Sequence, residues 1–205
     1  MKKVLCMVLS VCMMLLFTAC GSSSGTADNS TKQAQASAAE KQSGSKTLVV
    51  YFSCTGHTKT LAENAARVLQ ADLFEIQPEQ PYTSQDLNYN DKSTRATVEQ
   101  NDTSVRPKIK NKIENPAQYD TVVLAYPIWW GQEPRIMDTF MQSYDFSGKT
   151  MAAICTSGGS DIGSSDAALA GLGSKTAKWK DGKQFSAGTS ADELGTWFRQ
   201  IGVLQ

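Results

Sequence analysis

The residues best able to bind a reactive group follow a short apolar run near position 50. They are Ser53-Cys54-Thr55-Gly56-His57-Thr58. This segment supplies three hydroxyls, a glycine that permits a tight turn, and backbone N–H groups that enter the start of a helix. Such a combination binds anions, and a phosphate monoester is its natural ligand. Because the segment lacks the lysine and the spacing of a P-loop, we expect amides and hydroxyls to do the binding.

Two later loops extend this chemistry to a flat ring. In Tyr126-Pro127-Ile128-Trp129-Trp130-Gly131, two adjacent tryptophans follow an apolar run and cannot both face a core. We therefore expect at least one indole at the mouth of a site, where it can cover a ring. The third loop, Thr156-Ser157-Gly158-Gly159, has small side chains that let the backbone approach a ligand closely. The three loops together indicate a site for a phosphorylated flat heterocycle.

The elements that must position these loops alternate between strand and helix. Short apolar, β-branched runs are typical of strands buried on both faces, and five such strands are predicted, at 47–52, 73–76, 121–126, 150–155 and about 175–179. Helices are predicted at 58–69, from Pro134 onward, at 165–172 and, after a capping box at Ser190 and Glu193, to about 201. This alternation predicts an α/β protein with a doubly wound parallel sheet, whose ligands bind beyond the carboxyl ends of the strands.

A long segment, residues 78–118, separates the second and third predicted strands. Residues 91–101 within it are predicted to form a polar helix. A structureless loop of this length is unusual in a compact domain. We therefore expect the segment to act as a lid or as a wall of the site.

The first 46 residues are predicted to be a targeting signal followed by a flexible tether. Lys2 and Lys3 precede an apolar run, and Thr18-Ala19-Cys20 resembles a bacterial lipobox, so residues 1–20 are predicted to be a lipoprotein signal peptide with lipidation of Cys20. A plain secretory signal with an incidental Cys20 is the alternative. Residues 21–46 contain no aromatic residue, which predicts a flexible tether. The folded domain is then 47–205, and the protein is expected to be exported and lipid-anchored to the bacterial cell membrane.

Composition narrows the classes of function. The chain has 20 basic and 20 acidic residues, and this zero net charge argues against a nucleic-acid partner. Its single histidine excludes a His-cluster metal site, and no metal is expected. Without the five lysines and two acids of residues 1–46, the domain has 15 basic and 18 acidic residues, a net charge of −3. So small a charge gives weak electrostatic steering toward a protein partner.

The three loops resemble those of the flavodoxin superfamily. The matching segments are Ser53-x-Thr55-Gly56-x-Thr58, Leu87-Asn88-Tyr89-Asn90, Tyr126-Pro-Ile-Trp-Trp-Gly131 and Cys155-Thr-Ser-Gly-Gly159, and the resemblance covers residues 47 to about 202. It implies a flavodoxin-like three-layer sandwich whose five-stranded parallel sheet has the order 2-1-3-4-5. It also implies FMN as the cofactor.

The same resemblance assigns cofactor-binding residues. Those implied to hold the FMN phosphate are Ser53, Thr55, Gly56, His57 and Thr58. Those implied to flank the ring are Pro127, Ile128, Trp129, Trp130 and Gly131. Those implied to line its other side are Thr156, Ser157, Gly158 and Gly159. No residue is implied to act as a nucleophile or general base, because the flavin carries the electron chemistry.

Several of these residues have alternative roles. Thr55 and Thr58 could be helix caps, and the tryptophans could be packing residues. Cys54 could be a redox thiol, because an amide-rich loop at a helix start is expected to lower the pKa of its thiol; a structural role is the alternative. In the implied strand order, one strand separates Cys54 from Cys155, which leaves them too far apart for a disulfide.

Three functions follow from this reading. The first is an FMN-dependent oxidoreductase that reduces a quinone, nitro or azo compound on the exported side of the membrane. The second is an electron carrier between protein partners, and the third is a lipoprotein that keeps the fold but binds no flavin. The long insert and the twin tryptophans favour a walled site for small molecules and hence the first. A small-molecule or protein electron donor and acceptor are the expected partners.

Overall fold

The computed structural model describes residues 46–205. The predicted signal peptide, its lipidation site Cys20 and all but the last residue of the predicted tether lie outside the described residues. Within 46–205, no helix has both the length and the apolar character needed to cross a bilayer.

Six strands and five α-helices follow one another along the described chain. The strands are β1 (Thr47–Tyr51), β2 (Asp72–Glu75), β3 (Thr121–Pro127), β4 (Thr150–Thr156), β5 (Lys178–Trp179) and β6 (Lys183–Gln184). The helices are α1 (His57–Leu69), α2 (Arg95–Asn101), α3 (Arg135–Ser143), α4 (Ser165–Leu172) and α5 (Ala191–Gln200), and Pro116–Gln118 forms a short 3₁₀ turn.

The strands form one parallel sheet in the order β2-β1-β3-β4-β5. This confirms the predicted flavodoxin-like α/β fold. The chain moves outward from β1 to β2 and then crosses back to β3, so the topological switch point lies between β1 and β3. Tyr51 pairs with Ala125, and Ala125 pairs with Ile154. The loops that follow β1, β3 and β4 therefore leave the same edge of the sheet.

The alternation of side chains along each strand builds a core on both faces of the sheet. Val50 packs into one cluster with Phe140 of α3 and residues of α4 and α2. Its neighbour Val49 packs into a second cluster with Leu61 of α1 and Phe198 of α5. The result is the predicted three-layer sandwich, and burial on both faces explains why these strands have almost no polar residues.

The structure differs from the sequence expectations at a few element boundaries. Strand β5 covers only Lys178–Trp179, and β6, which pairs with β4 in parallel, was not predicted because Lys183–Gln184 has no apolar residue. Pro134 has extended backbone angles and precedes α3 rather than forming its first turn. The predicted start of α5 is confirmed for the N-cap half of the capping box, since the Ser190 hydroxyl accepts a hydrogen bond from the Glu193 amide at 3.2 Å.

Candidate functional site

A cleft of about 470 Å³ opens at the edge of the sheet where β1, β3 and β4 end. All three predicted loops contribute to its lining. The predicted residues that line it are Thr55, His57, Thr58, Pro127, Ile128, Trp129, Thr156, Ser157 and Gly158. The predicted residues that lie beside it without lining it are Ser53, Gly56, Trp130, Gly131 and Gly159.

The first loop presents backbone amides to one end of the cleft. Gly56 has φ 90°, the left-handed conformation that glycine adopts most easily, and it stands at the N-terminus of α1. Its own amide donates to the Ser53 hydroxyl at 3.1 Å, which fixes the turn. The first bond of the helix runs from the Thr60 amide to the Gly56 carbonyl at 3.0 Å. The amides of His57, Thr58 and Lys59 therefore lie outside the helical ladder, as an anion cradle requires.

Thr58 joins the first loop to the third. Its hydroxyl lies 2.8 Å from the hydroxyl of Thr156, and both side chains are buried. The N-cap of α1 is Gly56, and no side-chain capping bond is formed there, so Thr58 does not act as a helix cap. It instead ties the start of α1 to the end of β4 across the intervening strand β3.

The second loop contains a tight turn that separates its two tryptophans. The Trp129 amide donates to the Gln132 carbonyl at 2.9 Å, and the Gln132 amide donates to the Trp129 carbonyl at 3.0 Å. The two central residues, Trp130 and Gly131, have φ 49° and 77°, which is the pattern of a type I′ turn. Trp129 is only 4% exposed, whereas Trp130 is 37% exposed. One indole thus joins the core and the other faces outward.

The inner tryptophan forms a rigid aromatic wall. Trp129 makes edge-to-face contacts with Phe52 at 5.6 Å and with Tyr82 at 5.3 Å between ring centroids. Tyr82 donates a hydrogen bond to Glu99, which also pairs with Arg95 at 2.7 Å. Because Tyr82 and α2 both belong to the segment 78–118, this long insert supports the wall from outside.

The insert also reaches the cleft directly. Leu87 and Tyr89, from the short motif noted in the sequence, line it. Tyr89 stacks on the outer tryptophan, Trp130, with ring centroids 4.3 Å apart and planes inclined by 31°. The expectation that the insert forms a wall of the site therefore agrees with where its residues lie.

A buried polar cluster holds the second loop to the insert. The Gln100 side-chain amide of α2 donates to the carbonyls of Trp129 and Glu133, both at 3.0 Å. The Arg135 guanidinium contacts Glu133 at 3.4 Å, Asp138 at 3.3 Å and the Gln100 carbonyl at 3.2 Å. Sequence reasoning missed this cluster, because nothing in the local pattern distinguishes these polar residues from solvent-exposed ones.

Burial within the cluster changes the ionisation of its carboxyl groups. Desolvation, together with the nearby charge of Asp138, raises the pKa of Glu133 to about 7. Desolvation also raises the pKa of Asp138, although the Arg135 and Arg106 guanidinium groups oppose this effect. Within residues 46–205, one oxygen of each carboxyl group has no hydrogen-bond partner. The cluster is therefore sensitive to the protonation of Glu133 near neutral pH.

The third loop and a segment that starts at the last residue of β6 close the remaining side. The Ser157 hydroxyl donates to the Ser160 carbonyl and accepts from the Gly159 amide at 3.2 Å. Residues 184–187 also line the cleft, and the Phe185 amide donates to the Cys155 carbonyl at 2.9 Å. Sequence reasoning missed these four residues because β6, which positions them, lacks an apolar signature.

Neither cysteine of the domain has the properties of a redox thiol. Both Cys54 and Cys155 are free, and burial raises the pKa of each thiol to about 12. For Cys54 this is opposite to the lowering expected from its loop. Although the residue as a whole is exposed, its sulfur is desolvated, and the nearby Arg95 offsets only part of that effect. At neutral pH the group remains a protonated thiol.

This combination of fold and site defines a class of protein. A doubly wound parallel sheet with an amide-rich helix N-terminus and an aromatic wall at its switch point is the architecture of a nucleotide-binding α/β protein. The chain belongs to the flavodoxin family, whose family model matches residues 46–201.

Solved structures agree with this assignment. A candidate flavoprotein from Bacteroides eggerthii is 43% identical, with a TM-score of 0.74, and the match covers 78% of this chain and 99% of that chain. A second, from Bacteroides uniformis, is 38% identical, with a TM-score of 0.72 and coverage of 76% and 99%. A flavoprotein from Lactobacillus acidophilus, solved in complex with FMN, shares the fold at 20% identity, with a TM-score of 0.57 and coverage of 75% and 99%. No curated protein matches the chain significantly.

Proposed function

We propose that the chain binds FMN in the cleft at the switch point of its sheet. The observation that carries the proposal is the convergence of two features on one cleft: the amides at the start of α1 and the aromatic wall of Trp129. The first suits a phosphate monoester and the second suits a flat ring. The family assignment and the FMN bound to the Lactobacillus acidophilus protein support the same cofactor.

The residues present fit this cofactor. The left-handed Gly56 and the amides of residues 57–59 would hold the phosphate, with Thr55 and Thr58 beside it. Ile128 and Trp129 would flank the ring on one side, and the small residues 156–158 would allow close approach on the other. FMN, when bound, supplies one- and two-electron redox chemistry, while the chain orients the ring and excludes water from it.

The proposed reaction is the reduction of a small quinone, nitro or azo compound. Among the described residues that line the cleft there is no Asp, Glu, Lys or Arg. An uncharged mouth suits a neutral small acceptor better than an electron-transfer partner recognised through opposite charge. The small domain net charge of −3 also favours a small-molecule acceptor, because it gives weak steering toward a protein partner. The electron carrier remains the competing function, and it would require fast transfer to a protein rather than to a quinone.

The proposed location is the exported side of a bacterial membrane. The apolar leader and its Thr18-Ala19-Cys20 ending support lipidation of Cys20. Replacing Cys20 with Ala should move the protein from the membrane fraction to the soluble fraction. A membrane fraction unchanged by Cys20→Ala would overturn the anchoring proposal and leave the cofactor proposal intact.

The visible spectrum of the purified protein tests the cofactor proposal. Flavin absorption, with FMN released on denaturation, is the expected result; a colourless protein that takes up no added FMN would support the flavin-free alternative. The reduced protein should then transfer electrons to a small quinone in the absence of any partner protein. Transfer that needs a carrier partner would support the electron-carrier function instead.

A further inference from the structure

Four buried polar side chains lie in or against the wall loop (residues 127–134) without lining the cleft. They form the buried cluster, Gln100, Glu133, Arg135 and Asp138. Of the five buried side-chain polar atoms that lack a hydrogen-bond partner within residues 46–205, four belong to this cluster. Unpartnered buried polar atoms are rare in folded proteins, so this concentration of them needs a physical explanation.

The two acids of the cluster are not equally compensated. Asp138 lies 3.3 Å from the Arg135 guanidinium and 3.7 Å from that of Arg106. Among the described residues, Glu133 is paired with Arg135 alone, at 3.4 Å. Both acidic side chains are 3% exposed, so water does not screen them from each other. Neighbouring carboxyl groups in a desolvated site favour a proton on one of them, and Glu133 is the acid with less compensation.

A proton on Glu133 also gives the pair of acids a hydrogen bond. The two carboxyl groups lie close enough for a side-chain bond between them, which requires a proton on one of them. Burial, the charge of Asp138 and this bond together raise the pKa of Glu133 to about 7. Two further titratable groups face the cluster: burial raises the pKa of Tyr126 on β3, and hydrogen bonds from Ser104 lower that of Asp102. Neither of these two groups changes its charge near neutral pH.

The cluster is bonded to the wall loop at the turn that carries Trp129. Arg135 donates to the Gln132 side-chain oxygen at 2.6 Å, and Gln100 donates to the Trp129 carbonyl at 3.0 Å. The backbone bonds between Trp129 and Gln132 close that turn. If Glu133 ionises, its charge is best stabilised by reaching water. Because Glu133 directly follows Gln132 in the chain, such a movement displaces the turn.

We propose that Glu133 and Asp138 form a proton-operated latch on the wall loop. While the pair shares one proton, the loop is closed beside the ring site. When Glu133 gives that proton to water, the loop is released and Asp138 keeps its ion pair with Arg135. The inference rests on the proposed function only for its effect on flavin binding. A ring that packs on Trp129 favours the closed, protonated form, so flavin binding should take up protons.

Hydrogen exchange of the protein without added flavin tests the latch itself. A released Glu133 has an ordinary pKa of about 4.3, so opening of the loop should become more frequent as pH rises from about 5 and should level off above about 7. After correction for the intrinsic pH dependence of exchange, the Trp129 and Gln132 amides should lose at least about fivefold in protection between about pH 5 and pH 8. The Lys149 amide, which closes the turn before β4, should not change.

Three variants assign the effect to the pair. Glu133→Gln cannot titrate, and its amide can still donate to Asp138, so the protection of its loop should not depend on pH. Asp138→Asn removes the like charge and thereby lowers the pKa of Glu133, so the loss of protection should level off at a lower pH. Glu114→Gln alters an exposed acid of the same insert and should behave as the unmodified protein does. Protection independent of pH in the unmodified protein, or an equal loss in Glu133→Gln, would overturn the latch.

Calorimetry of riboflavin binding tests the link to the proposed function. Riboflavin lacks the phosphate group of FMN, which itself titrates near pH 6, so any protons taken up go to the protein. Titrations near neutral pH in two buffers of different ionisation enthalpy should show proton uptake in the unmodified protein and in Glu114→Gln. Glu133→Gln, which retains His57 in the cleft, should show none. Uptake that persists in Glu133→Gln would overturn the coupling. If the protein binds neither riboflavin nor FMN, the proposed function fails, and the exchange measurement still decides the latch.

Discussion

The hydroxyl oxygens of Thr58 and Thr156 lie 2.8 Å apart, although 98 positions separate the two residues in the chain. Thr58 stands in the first turn of α1 and Thr156 ends β4, so this bond joins the proposed phosphate loop to the loop on the other side of the ring. Both side chains are buried, and each hydroxyl can donate to the other. The two loops are therefore positioned together.

Replacing Thr58 with Val should affect both stability and cofactor binding. The variant keeps the shape but leaves the buried Thr156 hydroxyl without this partner, which should lower the free energy of unfolding by about 1–2 kcal/mol. FMN affinity should fall more than riboflavin affinity, because riboflavin has no phosphate. Urea unfolding and flavin fluorescence titration measure the two effects, with Thr58→Ser as the control that keeps the hydroxyl. Equal losses for FMN and riboflavin would mean that Thr58 does not contact the phosphate.

A pair of glycine variants isolates the phosphate loop. Gly56 and Gly148 have φ 90° and 74°, and an added Cβ would meet nothing within 4 Å at either position. Replacing either with Ala should therefore cost about 1–2 kcal/mol of unfolding free energy through backbone strain alone. Only Gly56→Ala should weaken the binding of FMN, because only the turn at Gly56 orients the amides at the start of α1. Equal FMN affinity in the two variants would argue against the amide cradle.

Replacing Gln100 with Leu should loosen the wall loop. The side-chain amide of Gln100 donates to the carbonyls of Trp129 and Glu133 in a buried setting, and both bonds would be lost. The Trp129 carbonyl would keep only the bond from the Gln132 amide. We expect a loss of about 1–3 kcal/mol in unfolding free energy and faster hydrogen exchange across residues 127–134. Gln118→Leu, which removes only an exposed hydrogen bond from Lys46, is the control; it should change the unfolding free energy by less than about 0.5 kcal/mol and leave the exchange of residues 127–134 unchanged. Unchanged hydrogen exchange in Gln100→Leu would show that the loop does not depend on Gln100 for its stability.

The buried carboxyl group of Glu133 should make stability depend on pH. Its pKa of about 7 in the folded protein lies above the unfolded value of about 4.3, because desolvation disfavours its charge. Between these two pKa values the folded state keeps a proton on Glu133 that the unfolded state has lost. The contribution of Glu133 to the free energy of unfolding is therefore fully present below about pH 4 and is lost as pH rises through 7. The decline has an upper limit of about 1.4 kcal/mol per pH unit.

Glu133→Gln tests that dependence, because glutamine resembles the neutral carboxyl group and does not titrate. Urea unfolding at several values between pH 5 and pH 8 should show a shallower decline in the variant than in the unmodified protein. The two thiols of the domain, with a pKa of about 12 when folded against about 8.5 when unfolded, add to the decline only near pH 8, and they do so equally in both proteins. Parallel curves for the two proteins would assign the pH dependence to other groups.

The architecture was predictable because its determinants are local. The apolar runs at 47–52, 121–126 and 150–155 lie within one or two residues of β1, β3 and β4, since strands buried on both faces need side chains that are apolar throughout. The Ser190 capping box likewise depends on residues three positions apart. Because parallel strands bring their carboxyl ends to one edge, the loops at the cleft followed from the strand pattern alone.

The details of the site depended on contacts between distant segments. Two adjacent tryptophans look alike in sequence, and only the turn that places Trp130 at positive φ determines that Trp129 packs inside and Trp130 faces outward. The pKa of Cys54 rises because the fold desolvates its sulfur, an effect that its own loop does not encode. The stacking of Tyr89 on Trp130 likewise required the insert to return to the cleft. Local patterns specify elements, whereas burial, charge and ring contacts arise only when segments far apart in the chain share the same space.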